Sequence, residues 1–151
     1  MAEVFFYHLT RSSPEATLRV LLEKSLEQGW RVAVRGRTRE TLARLDEQLW
    51  LRPEDGFLPH GLAGGDHDAQ QPVLLTTGPA ANGATALVSI EGAEVAADEA
   101  GGFERVSILF DGGDPGAVET ARAQWRGLTG AGLKAKYWSE ESGRWQMKAE
   151  A

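Results

Sequence analysis

Two apolar runs, VFFYHL (residues 4–9) and RVAV (residues 31–34), each lead through a short polar joint into a helical pattern, and this alternation constrains the fold most. Between them, Ser12 or Ser13 followed by Pro14 and Glu15 is a helix start, with a serine cap, proline in the first turn and an acid near the positive end of the dipole. That helix presents Leu18, Leu21, Leu22 and Ser25 or Leu26 on one side and ends at Gly29. Thr38 caps a second helix with Leu42, Leu45 and Leu49 on one face, and Pro53 stops it. Strand, helix, strand, helix with short joints implies a parallel, right-handed α/β unit.

The remaining chain extends this unit. PVLLTT (residues 72–77), TALVSIEG (residues 85–92) and ERVSILFDGG (residues 104–113) read as strands. EVAADEAGGF is either a short helix or an acidic loop. Asp114 and Pro115 open a helix that Gly130 or Gly132 ends, and LKAKYW (residues 133–138) alternates as a strand does, with GRWQMK as its hairpin partner. A chain of 151 residues has the length of one ordinary domain. The expected fold is therefore a single three-layer α/β/α domain over residues 1–151, with a mostly parallel, Rossmann-like sheet.

Composition removes several function classes. Zero cysteines exclude disulfides, thiolate catalysis and cysteine zinc sites. No apolar run is long enough to cross a bilayer, and the first residues read as a strand rather than a signal peptide, so a cytoplasmic protein is expected. A net charge of −6 argues against general nucleic-acid binding. That charge is uneven: residues 91–119 hold eight acids and one base, whereas residues 121–148 hold six bases and two acids. The first strand-to-helix turn, HLTRSSPE, lacks the glycines of a dinucleotide site, and no GxxxxGK[ST] occurs. Arg35, Arg37 and Arg39 follow the second strand, where they either hold a phosphate or form a solvated rim. Asp66, His67 and Asp68 are ligand types in a row, but neighbours in a flexible loop rarely converge on one ion, so neither a metal nor a cofactor is expected.

Two stretches carry binding chemistry. In LDEQLWLRPEDGFLPHGLAG (residues 45–64), Trp50 and Phe57 stand among Pro53, Pro59, Gly56 and Gly61: they either plug the end of a sheet or form a rigid docking surface. In the last long helix, Val118, Ala121, Trp125 and Leu128 make an apolar stripe bordered by Arg122 and Arg126. An indole with a guanidinium on each flank suits a short peptide that ends in an apolar residue and a free carboxylate and carries acids upstream.

The order LD, LW, RP, Phe57, PH and LAG resembles the chi subunit of bacterial DNA polymerase III, a small accessory protein of the clamp-loader complex. ARAQWRG resembles that family's helix segment, with Trp125 where a tyrosine is more usual; residues 70–102 depart from the family pattern. The resemblance implies a non-catalytic adaptor. Arg122, Trp125, Arg126 and Lys134, with Val118 and Phe110 as apolar lining, would hold the acidic C-terminal tail of single-stranded DNA-binding protein. Trp50, Pro53, Phe57 and His60 would meet the psi subunit or another replisome or repair protein. The competing reading is a small α/β enzyme acting on a phosphorylated or nucleotide substrate.

Overall fold

The computed structural model describes residues 3–51, 59–140 and 145–150. Its elements run β1 (Glu3–Leu9), α1 (Pro14–Glu27), β2 (Val32–Arg35), α2 (Arg39–Leu51), β3 (Gly61–Leu62), β4 (Val73–Thr76), β5 (Ala86–Ser89), α3 (Ala97–Ala100), β6 (Arg105–Asp111), α4 (Pro115–Gly130), β7 (Lys134–Ser139) and β8 (Gln146–Glu150). The strands form one sheet in the order β3-β4-β2-β5-β6-β1-β7-β8. All neighbours pair in parallel except β7 and β8, which form an antiparallel hairpin. The segment that sequence left as helix or loop contains the short helix α3, while the two-residue edge strand β3 has no apolar run of its own to announce it.

Alternation along the strands sorts side chains onto two faces. Leu9, Val32, Val34, Val88 and Leu109 point to one face and pack with Leu18 and Leu22 of α1 and Leu42, Leu45 and Leu49 of α2. Val4, Phe6, Ala33, Leu87, Val106, Ile108 and Phe110 point to the other and pack with Ala100 of α3 and Ala121 and Leu128 of α4. The layers are α1/α2, sheet and α3/α4. No helix among the described residues is long and apolar enough to cross a membrane.

The starts of the long helices are satisfied locally or from a distance. Ser13 Oγ accepts from the Ala16 N–H at 3.1 Å, and Asp114 accepts from Gly116 at 2.9 Å. At α2 Thr38 Oγ1 accepts from the Thr41 N–H at 3.3 Å, as expected of its cap, and Glu91, just past the neighbouring strand β5, adds to it by accepting from the backbone N–H groups of Arg37 (2.8 Å) and Thr38 (3.1 Å) and from the Thr41 hydroxyl (2.6 Å). Glu91 stands at φ 61° and Gly92 at φ 72°, a left-handed pair that turns the chain back after β5. At the head of α1, Glu140 accepts from three successive backbone N–H groups, described further below. Arg35, buried at the end of β2, donates to the carbonyls of Gly78 and Glu94 and makes a two-pronged pair with Glu99 on α3.

These carboxylates link stability to acid. Burial raises the Glu140 and Glu91 carboxyls, but their hydrogen-bond donors outweigh it, and both lie below the usual carboxylate range. The Arg35 hydrogen bonds likewise hold Glu99 down against the effect of burial. A carboxyl depressed on folding contributes stability fully above its unfolded pKa, near 4.5, and loses it as pH falls through the folded value. Urea melts from pH 7 to 3 should therefore show a flat midpoint down to about pH 5 and a steep fall below. The fall should be shallower in Glu140→Gln, and equal slopes in the two proteins would contradict the assignment.

Candidate protein-docking surfaces

The α4 surface follows from the helix's own sequence. Its stripe of Val118, Ala121, Trp125 and Leu128 turns to the sheet, with Ala121 and Leu128 fully covered and Val118 and Trp125 partly so. The Trp125 ring meets Phe6 edge to face at 5.3 Å and Tyr137 at 6.1 Å. Tyr137 in turn is hydrogen-bonded to His8 at 2.6 Å. The indole is thus fixed against β1 and β7 and remains partly exposed.

Arg122 and Arg126 are exposed on the outer flank of the same helix. The Arg122 side chain, 63% exposed, lies 3.3 Å from Glu119, one turn back. A pair so open to water contributes little and leaves the guanidinium available to a better-placed anion. The result is an aromatic wall with two solvent-facing cations beside it.

Two expected members of this site stand elsewhere. Phe110 is 6% exposed and stacks against His8 at 5.1 Å, so it supports the site from within rather than lining it. Lys134 pairs in register with Glu3, and Lys136 with Phe5, whereas Val4 and Phe6 belong to the α4-side core. Alternation therefore sends Lys134 to the sheet face opposite α4. The sequence pattern had already separated Lys134 from Ala135 and Tyr137, but only the sheet shows which set meets the helix.

The second surface lies at the end of α2. Trp50 is 50% exposed, and its ring stacks 4.3 Å from that of His60. The His60 side chain is wholly buried, its Nε2 lying 3.1 Å from both the carboxylate and the backbone carbonyl of Asp46. His60 is thus a support beneath Trp50 rather than an exposed contact. Its partner Asp46 carries no signal in sequence, since any acid on the helix would read the same. Pro53 and Phe57 lie outside the described residues. The two surfaces stand on opposite layers, α2 and α4.

The carboxyl ends of the strands, where an α/β enzyme keeps its chemistry, have cavities but few available groups. One of about 420 Å³ is lined by Arg35, Arg37, Thr77, Glu94 and Glu99, and another of about 490 Å³ by Glu91, Asp111, Asp114 and their neighbours. Arg35 is held by Glu99 and two carbonyls, Glu91 caps α2, and Asp114 caps α4. Arg39 donates to the Ala63 carbonyl at 2.7 Å, which leaves the phosphate reading of the arginine cluster without a converging set. Asp68 accepts from the N–H groups of Gly64 and Gly65, and His67 Nδ1 donates to the Gln70 side-chain oxygen, so these ligand types serve the turn. No group of three or more His, Asp or Glu is placed to hold a metal among the described residues.

The α2 surface yields a stability contrast. His60→Ala removes a buried ring and unpairs Asp46, and should cost about 2 to 4 kcal/mol. Trp50→Ala, half in solvent, should cost clearly less, about 1 kcal/mol. Denaturant melts of the two variants check the order, and the reverse order would contradict the assignment of Trp50 as the exposed member.

Comparison with known proteins agrees with the resemblance. A family model described as DNA polymerase III chi subunit, HolC, matches residues 1–136. The DNA polymerase III subunit chi of Pseudomonas aeruginosa is 34% identical over 94 residues, which cover 60% of this chain and 65% of that protein, just under two thirds of its length.

Proposed function

The chain belongs to the DNA polymerase III chi subunit family, and from that premise we propose a non-catalytic adaptor that captures the acidic C-terminal tail of single-stranded DNA-binding protein and joins it to a second protein of the replisome or of repair. The observation that carries the reading is the half-buried Trp125 flanked by the exposed Arg122 and Arg126. An apolar terminal residue lies against the indole and Val118, one arginine takes the terminal carboxylate in a bidentate pair, and the other attracts the acids upstream. Lys134, from the far face, adds at most to the local positive field.

The second partner, the psi subunit or another replisome or repair protein, docks on Trp50 together with Pro53 and Phe57. An exposed aromatic stacked on a buried, hydrogen-bonded histidine is a rigid anchor, the kind of group on which interface energy concentrates. The proposed single domain of residues 1–151 then acts as a bridge, with one partner on each layer. The enzyme reading is not adopted, because Arg35, Glu91 and Asp114 at the strand ends are held by the fold itself.

Calorimetric titration of the full chain with a peptide of acidic residues ending in an apolar residue and a free carboxylate tests tail capture. Arg122→Ala and Arg126→Ala should each weaken binding by about 1 to 3 kcal/mol, and affinity should fall as salt rises. Trp50→Ala should leave this binding intact. Affinity that survives the double arginine substitution unchanged would refute the site. The arginines are the better probes, since Trp125 also packs on Phe6 and Tyr137 and its removal would disturb the fold.

A further inference from the structure

Glu140 follows β7 directly, and its carboxylate turns back across the end of the sheet into the β1–α1 turn. One oxygen accepts from the backbone N–H groups of Thr10 (3.0 Å), Arg11 (2.8 Å) and Ser12 (2.6 Å), and the other from the Ser12 hydroxyl (2.8 Å). The residue is 5% exposed. Three consecutive N–H groups aimed at one oxygen form an anion-binding nest. It lies where β1 passes into α1 on one face while its neighbour β6 passes into α4 on the other, the switch point at which doubly wound folds receive phosphates. Here the anion is the chain's own, supplied from about 130 residues away in sequence.

The same contact bears on the C-terminal hairpin. Among the described residues β8 pairs with β7 alone, and four of its five residues are exposed. The hairpin is further tied, among the described residues, by an edge contact of Trp145, just before β8, with Tyr7 at 5.6 Å and by an open ion pair of Glu150 with Lys136 at 3.9 Å. Against these, Glu140 is buried and fourfold hydrogen-bonded, and it stands just before the segment that joins the two strands. It also lies past residue 136, where the family match stops.

We propose that Glu140 is an internal latch: its carboxylate fills the anion position of the β1–α1 turn, closing it to phosphates, and fastens the C-terminal hairpin to the head of α1. This inference is independent of tail capture by α4, because none of the residues involved belongs to that surface. Removing the carboxylate frees both the nest and the hairpin at once, with no other element of the sheet affected.

Residue-resolved hydrogen exchange on the full chain at neutral pH tests this, comparing wild type with Glu140→Ala and Ser12→Ala. In Glu140→Ala, the amides of Thr10, Arg11, Ser12 and β8 should exchange at least about tenfold faster while β2 and β5 keep wild-type rates. Ser12→Ala, which removes one of four donors, should give a smaller change at the same positions. Inorganic phosphate should slow exchange of the three turn amides in Glu140→Ala and not in wild type, with chloride at equal ionic strength as the control. Wild-type rates at these amides in Glu140→Ala, or acceleration spread evenly into β2 and β5, would overturn the latch. Absence of the phosphate effect would overturn the anion position. If Glu140→Ala does not fold, Ser12→Ala decides, and unchanged turn and β8 amides there would overturn the proposal.

Discussion

β1 is bonded on one side to β6 and on the other to β7, both in parallel, and this double pairing fixes the remaining architecture. A strand held along both edges cannot slip by one residue without exchanging its faces. Val4 and Phe6 are therefore committed to the α3/α4 layer, and Leu9 to the α1/α2 layer. Each face then accepts only the apolar side of the helices that cross it, and the opposite side of every helix is left to solvent. The exposed arginines of α4 and the exposed indole at the end of α2 are consequences of that allocation. Because they arise on different layers, the two proposed partners would not compete for one surface.

The carboxyl edge of the sheet shows how the chain supplies acceptors to its own strand-to-helix turns. Parallel strands leading into helices aim backbone N–H groups at the turns, and such groups need acceptors. In a dinucleotide-binding fold a pyrophosphate supplies them. Here Glu140, Glu91 and Asp114 do, each from a position the chain itself fixes. Arg35, one of the three arginines considered for a phosphate, instead ties the β4–β5 and β5–α3 segments and α3 to the end of β2. Charges that would mark an active site in another α/β protein are engaged in holding this one together.

Much of this was legible in sequence because it depends on local signals. Ser12 or Ser13 before Pro14, and Asp114 with Pro115, mark the starts of α1 and α4, the structure choosing Ser13, and the periodicities of two and of about three and a half identify strands and helices. Trp125 between two arginines was visible for the same reason, since all three belong to one helix. What sequence could not give was distance. Lys134 is nine residues from Trp125, yet the turn between α4 and β7 and the alternation of the strand carry it to the other face. Phe110 is expected as lining from the family resemblance alone, and a strand buried on both faces hides which residues are innermost. Glu140 and Glu91 had no signal, since their partners are fifty or more residues away.

The central claim is that α4 offers a cationic aromatic surface for a carboxylate-ended peptide, separate from the surface at Trp50. Amide and indole chemical-shift mapping of the labelled full chain during titration with such a peptide tests it most directly. The account predicts shifts concentrated at Val118, Arg122, the Trp125 indole and Arg126, with Trp50 and His60 unmoved. Shifts centred on Trp50, or on the cavities at the carboxyl ends of the strands, with the α4 resonances unchanged, would contradict it.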